Sequence, residues 1–417
     1  MHEKTKKLVI IGGGAAGFFA AIRAAELDPE LDVTLLERGA EVLNKVRISG
    51  GGRCNVTHAC FDPAELVHYY PRGQKELLGP FYRFSPSDTV QWFENRGVRL
   101  KTESDGRMFP VSNNSASIVG CLLSEAARLH VKVIKQQKVV KLIPPAHAHS
   151  LWQILTPDHT WQAHDLLVTT GSNPTVWQMI KNLGHEIVPP VPSLFTFNIR
   201  DNRLTDLEGI ALPKARVIIP HTSFETDGPV LITHWGLSGP AILKLSAWAA
   251  TALHACGYQF PVVINWVGRD PEDLTQDILA FKAENGKKLL RNVHPFELPA
   301  RFWKKVLGYL RFKDDLQWAN LNKSQLQDLV AQLCAATFQV NGKSTFKEEF
   351  VTAGGVHLQE INFKTFASRK VPHLYFAGEV LNIDAVTGGF NFQAAWTGAW
   401  IAATAISSQP DASPANR

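Results

Sequence analysis

The sequence predicts an α/β fold: a parallel sheet flanked by helices, interrupted by an inserted second domain. Three observations predict it. The apolar run Leu8–Ile11 enters Gly12-Gly13-Gly14-Ala15-Ala16-Gly17 and then an Ala-rich stretch with helical periodicity. The same grammar of strand, glycine turn and helix returns near the other end, at Leu374–Ala377, Gly388-Gly389 and an Ala-rich segment through Ile406. Between them, the proline-rich Ile187–Pro192 opens a stretch of different character. A chain of 417 residues is long enough for two domains, each with its own core.

The elements follow in order. Leu8–Ile11 is apolar, β-branched and bounded by glycine, as buried parallel strands are. Ala15–Leu27 reads as a helix and Asp32–Glu37 as the next strand, which completes a βαβ unit. Ser87–Arg96 reads as a capped helix, Ala116–His130 as another, and Val131–Ile134 as a strand. Val139–Ile143, Trp152–Thr156 and Trp161–Thr169 alternate as strands, two of them joined by the turn Pro157-Asp158-His159. Pro189, Pro190 and Pro192 stiffen the exit from the first domain. Beyond it, short strands (Val217–Ile219, Val230–Thr233, Val262–Trp266) mix with helices at Asp270–Glu284, Pro299–Leu310 and Lys323–Thr337. Ala241–Cys256 reads as a buried helix, too short and too charged for a membrane span. The expected boundaries are 1–192 for the first part of the nucleotide domain, 193–345 for the insert, 346–408 for the second part, and a frayed tail at 409–417.

The glycines carry chemistry. In Gly12-x-Gly14-x-x-Gly17, the first permits a tight turn, the second admits a pyrophosphate against the backbone, and the third lets helix and strand approach. The pyrophosphate then meets free N–H groups and the positive end of the helix dipole. Glu37, twenty residues beyond Gly17, is placed to accept from ribose hydroxyls. A glycine turn without ligand is the plain alternative. This motif alone announces a dinucleotide. A second grip at Gly378-Glu379, Asp384 and Gly388-Gly389-Phe390-Asn391 suits a longer molecule held at pyrophosphate, ribityl chain and ring, which is FAD. The helix opening there would stabilise negative charge on the ring edge. Lys45-Val46-Arg47-Ile48-Ser49-Gly50-Gly51-Gly52-Arg53-Cys54-Asn55 reads as a loop able to form an anion nest. Cys54 has no base near it in sequence and reads as a small buried residue rather than a nucleophile.

These residues resemble a known family. Ser49-Gly-Gly-Gly-Arg-Cys-Asn-x-Thr57, Gly106-Arg-Met-Phe-Pro110, Thr233-His-Trp-Gly-Leu-Ser-Gly-Pro-Ala241, Thr352-Ala-Gly-Gly-Val356 and Ala377-Gly-Glu379 are similar to the YhiN-like, aminoacetone-oxidase-like FAD-binding proteins. The resemblance spans nearly the whole chain. It implies a Rossmann-like FAD domain, non-covalent FAD, and an insert of β-barrel plus helices. Some members are linked to amine oxidation and others to reduction of conjugated enones. The cofactor-binding residues expected here are Gly12, Gly14, Ala15, Ala16, Gly17, Glu37, Arg38, Lys45, Ser49, Gly50, Gly52, Arg53, Cys54, Asn55, Val139, Thr170, Gly171, Gly378, Glu379, Asp384, Gly389, Phe390 and Asn391. The chain departs from the family pattern at His58, at Asn382, and at Ser172–Trp177, where a longer loop is usual.

The expected activity is hydride transfer through flavin N5 to a small organic substrate, lying in a cleft between the domains. NAD(P)H-linked reduction of a C=C or C=N bond leads, with transient NAD(P)H because no second Gly-x-Gly-x-x-Gly is present. Oxidation of an amine by oxygen and an RNA-interacting or tRNA-modifying flavoprotein are the alternatives. His234, in what reads as a strand, glycine loop and helix, is the candidate proton donor. With 43 Lys/Arg against 38 Asp/Glu, the net charge of +5 is mild, and nucleic acid is not expected as a partner. The scattered, odd set of five cysteines has no metal spacing and suits a reducing compartment. Met1–Lys7 is polar and lacks a signal-peptide core, so the cytoplasm is expected and a membrane is not.

Overall fold

The structure is a computed structural model that describes residues 6–147, 150–344 and 351–408. The tail at 409–417, the residues before Lys6 and the 345–350 segment lie outside the described residues. The chain forms two compact units, Met1–Val191 with Val351–Arg417, and Pro192–Phe350.

The first unit is built on a seven-stranded sheet. Its order is Ile361–Asn362, Ala367–Ser368, Leu374–Phe376, Asp165–Val168, Lys7–Ile11, Asp32–Leu36 and Lys132–Ile134. The last five are parallel, with Ile11 opposite both Val168 and Leu36. Nearly every residue of the four strands inside the edge strand Lys132–Ile134 is buried, because inner parallel strands are covered on both faces. Helices Ala15–Leu27 and Phe390–Ser407 pack against each other: Phe19 lies 5.1 Å from Trp396, and the Arg23 guanidinium sits 3.6 Å over Trp400. Chain beginning and chain end thus meet in one layer.

The second unit is a sheet that closes on itself. Its strands are Thr196–Asn198, Ala211–Ile218, Glu225–Thr233, Gly236–Ser238, Gln259–Asn265 and the segment Ala336–Ser344. That last segment pairs with Gln259–Asn265 through residues 336–341, then bends at Gly342 and pairs with Thr196–Asn198. Both ends of the ladder are one stretch of chain, which removes the edges. The core joins barrel residues such as Phe197, Val217, Ile264 and Phe338 to the helical residues Trp303, Trp318 and Leu329.

Several elements differ from expectation. Ile187–Ser193 is a strand paired with Val351–Val356, not a bare linker; proline is tolerated there because this two-stranded ribbon leaves open edges. Trp161–Thr169 is two strands, Thr160–Ala163 and Asp165–Val168, that belong to different sheets. The helix expected to reach Thr337 stops at Cys334, and Ala336–Asn341 alternates buried and exposed as a strand. Ala241–Cys256 is two helices, Pro240–Trp248 and Ala250–Ala255. Lys45–Gly52 is not wholly a loop: Asn44–Ile48 is helical before Ser49, Gly50 and Gly51 leave helical geometry.

Candidate functional site

The site is assembled where the parallel strands of the first unit end. Gly12 donates its N–H to Leu36 O at 2.8 Å and adopts φ +113, and a Cβ there would sit 2.6 Å from Thr169 O. Gly17 holds the helix against the strand, since a Cβ would lie 2.0 Å from Gly12 O. Gly14 is different. It is the N-cap of helix Ala15–Leu27, no side chain caps it, and a Cβ there would meet nothing within 4 Å. The first turn, which includes Ala15 and Ala16, carries no acidic residue. Free helical N–H groups therefore face open space, which is what a pyrophosphate requires.

Glu37 closes the adjoining side. Its two oxygens accept the N–H groups of Gly13 (2.8 Å) and Gly39 (2.7 Å), which fixes the carboxylate at the mouth of the glycine turn. A pocket opens beside it, lined by Gly12, Glu37, Arg38, Gln137, Lys138, Val139, Thr170 and Asn173. Thr170 Oγ1 is buried with no hydrogen-bond partner among the described residues. An orphaned hydroxyl in a pocket next to the Glu37 carboxylate fits the adenosine half of a dinucleotide. Sequence reasoning missed Gln137, Lys138 and Asn173. Asn173 had a readable signal, because it stands before Pro174 and caps helix Pro174–Asn182 by accepting from Thr175 N and Val176 N. Gln137 and Lys138 had none.

The second grip is built from both chain ends. Lys45 Nζ lies 2.5 Å from Glu379 Oε2. Gly378 packs on Ala16, and Gly171 approaches the Glu379 carboxylate. Asn55 braces the start of helix Phe390–Ser407: its side-chain oxygen accepts Gly389 N–H at 2.9 Å, and its nitrogen donates to Thr57 O at 3.1 Å. Gly389 has φ +92 and lies so close to Thr57 O that only glycine fits. Asn391 clamps the preceding loop by accepting from Ala385 N at 3.0 Å and donating to Ala385 O at 3.1 Å. Phe390 is buried in a ring stack, 4.2 Å from Tyr69 and 4.6 Å from His58. Burial lowers the His58 pKa.

Other expected residues have their own partners. Ser49 Oγ donates to Val46 O, and its carbonyl accepts from Cys54 N–H. Gly50 packs on Phe109, whereas Gly52 faces open space. Arg53 pairs with Glu103 at 2.6 Å and stacks 3.9 Å over Phe109. Cys54 is fully buried, and burial pushes its thiol up to about 12, so it is a packing residue and not a nucleophile. Asp384 is fully buried and its carboxylate is bound by Arg72. In the second unit, His234 and Trp235 form the two-residue turn between strands Glu225–Thr233 and Gly236–Ser238, in place of the expected glycine loop. The His234 side chain is 81% exposed, with Nδ1 3.9 Å from Glu208 Oε1. No His/Cys/Asp/Glu cluster among the described residues could hold a metal, and no described helix is long and apolar enough to cross a membrane.

The glycine turn, the uncapped helix start, Glu37 and the orphaned Thr170 hydroxyl fit FAD, and known proteins agree. The chain is 30% identical over 413 residues to a ribosomal RNA dihydrouridine synthase of Haemophilus influenzae, covering 96% of this chain and 98% of the relative. It is 25% identical over 422 residues to a 3-dehydro-bile acid delta(4,6)-reductase of Clostridium scindens, covering 97% and 100%. Among solved structures, the 3-ketosteroid-delta4-(5alpha)-dehydrogenase of Rhodococcus jostii shares the fold, with a TM-score of 0.52, 10% identity and 98% of each chain covered. The HI0933-like protein Rossmann domain matches residues 6–405; the chain belongs to that family and is an FAD-dependent oxidoreductase.

Proposed function

We propose that this protein reduces a carbon–carbon double bond conjugated to a carbonyl, and that its substrate is a uracil base in ribosomal RNA. The observation that carries the reading is full-length similarity to two relatives whose names describe the same bond chemistry. Making dihydrouridine adds two hydrogens across the ring C=C of uridine, and a delta(4,6)-reductase does the same to a steroid. The 30% relative, matched end to end, favours RNA over a steroid. The mild net charge gave no reason to expect nucleic acid, but binding to RNA depends on where charge lies rather than on its sum.

Bound FAD supplies a hydride from N5, drawn in this proposal from transient NAD(P)H. The residues' part is to hold and orient. The turn Gly12–Gly17 and the start of helix Ala15–Leu27 take the pyrophosphate, and Glu37 takes the ribose. The Val139–Thr170 pocket takes the adenine side. Lys45, Gly171, Gly378 and Glu379 take the middle of the molecule, and the braced helix start at Gly389–Phe390 takes the ring edge. Arg72 neutralises Asp384 and so keeps that loop in place. The hydride goes to the carbon β to the carbonyl and a proton to the α carbon, so an acid is required. His234, solvent-accessible and titratable, is the proposed donor.

The holoenzyme, given NADH or NADPH, is incubated with ribosomal RNA from a strain lacking this gene, and nucleosides are analysed by mass spectrometry. Dihydrouridine should appear. Consumption of a conjugated steroid enone without any dihydrouridine overturns the RNA reading and leaves the bond chemistry. His234→Ala should keep FAD and its reduction by the donor while slowing product formation by about 10²–10⁴-fold. Unchanged turnover per flavin removes His234 from the reaction.

A further inference from the structure

The second unit carries a surface that the reaction does not explain. Helix Ala300–Tyr309 buries Phe302, Trp303, Val306 and Leu307. Its other side is basic. Residues 300–313 contain Arg301, Lys304, Lys305, Arg311 and Lys313 and no acidic residue at all. Arg301, Lys305 and Tyr309 are four residues apart and share one stripe. Lys304, Arg311 and Lys313 make no ion pair or side-chain hydrogen bond among the described residues.

At the end of the stripe, the Tyr309 ring is 53% exposed. It forms the rim of a shallow depression with Arg203, Lys305 and Gln332, over a floor that includes Trp266 and Phe338. Arg203 is a fixed platform: its guanidinium lies 3.9 Å over Phe338 and 5.2 Å from Tyr309, is paired with Asp201 at 2.7 Å, and donates to Thr337 O at 2.6 Å. Lys305 faces Thr205 Oγ1 at 3.0 Å and Asp206 at 3.6 Å. Asp206 is 92% exposed, so that pair is weak and readily exchanged for another anion. Arg301 donates to Glu208 O, and Asp314 is taken by Arg291.

A row of cations ending in an exposed ring is the arrangement that holds single-stranded nucleic acid: phosphates on the charges, a base on the ring. Free phosphate, or an acidic peptide, would have no use for the ring. We infer that the insert docks single-stranded RNA, with one unstacked base on Tyr309 and the adjoining phosphates along Lys305, Lys304 and Arg301. The inference rests on the RNA reading of the function, and it locates where the RNA is held.

The test uses the FAD-loaded full chain and a fluorescein-labelled 12-residue oligouridylate, read by anisotropy at several salt concentrations. Tyr309→Ala should weaken binding by about 5- to 100-fold, and Tyr309→Phe should restore it. Lys304→Ala with Lys305→Ala should lower the slope of log affinity against log salt by about 1.4, or roughly 0.7 for each lost phosphate contact. Flavin content and its reduction by NAD(P)H should not change. Equal affinity and equal slopes in wild type and variants overturn the proposal, as does polyglutamate competing as well as oligouridylate. The two readings fail separately. Dihydrouridine formed at the wild-type rate by Tyr309→Ala sinks the docking site alone. RNA bound through Tyr309 but never reduced sinks the functional reading alone.

Discussion

Gly14 and Gly17 stand three residues apart and do opposite jobs. Gly17 is glycine because the protein itself fills the space, with Gly12 O 2.0 Å from where a Cβ would be. Gly14 differs: a Cβ there would meet nothing of the protein within 4 Å, and in the proposed placement the pyrophosphate takes that open space. The two substitutions should therefore separate. Gly14→Val should fold, with the thermal stability of the flavin-free protein nearly unchanged, and should lose FAD on gel filtration. Gly17→Ala should destabilise the apoprotein itself by about 1–3 kcal/mol, through overpacking. A yellow Gly14→Val protein would refute the pyrophosphate placement. Cys54 teaches the complementary lesson: the sequence read it as a small buried residue rather than a nucleophile, and its full burial, which pushes the thiol up to about 12, gives the physical reason.

At the scale of the element, helix Phe390–Ser407 shows how a buried helix is held in register. It is apolar almost all round, yet Gln393 sits in its buried core. Gln393 Oε1 accepts from Thr57 Oγ1 at 2.6 Å and Thr89 Oγ1 at 2.9 Å, while its nitrogen donates to Thr397 Oγ1 at 3.1 Å. Thr397 in turn donates to Phe84 O at 2.9 Å. Every member is satisfied, so the network fixes the helix against three distant segments. Gln393→Leu keeps the bulk but strands the Thr57 hydroxyl, whereas Thr89 Oγ1 can still donate to Ser85 O at 3.3 Å. It should cost about 1–3 kcal/mol in denaturant unfolding, the cost of one buried unpaired group. A loss below about 0.5 kcal/mol would mean that the Thr57 hydroxyl finds another partner. The network also bears on function, because Thr57 touches the Gly389 turn that begins the helix.

At the scale of the whole molecule, the chain leaves the first unit and returns to it at neighbouring points. His357 N–H donates to Glu186 O at 3.0 Å, and Gly354 packs against Pro189 and Pro190. The outgoing and returning strands therefore run side by side. Every residue assigned to FAD lies in the first unit. Replacing 192–350 with a short Gly/Ser linker should give a protein that still folds and still holds FAD, because joining two adjacent strand ends costs little loop entropy. Flavin absorbance after gel filtration reads the outcome. A folded but colourless product would show that the insert is needed to hold FAD.

What sequence alone determined was the local grammar. The βαβ unit, the glycine turn and the acid at the second strand's end were legible because each depends on backbone geometry within a few residues and on a period of burial. The strand, glycine turn and helix at each chain end were readable for the same reason, since each end carries its own short motif. Tertiary structure decided the rest. The Asn55 brace on Gly389, the Arg72–Asp384 pair and the Gln393 network join residues hundreds of positions apart, and no periodicity records such pairs. The same holds for the strand hidden in Ile187–Ser193 and for the hairpin turn at His234. Proline content and a glycine two residues on both pointed to loops, and backbone pairing made a strand of the first and a two-residue hairpin turn of the second.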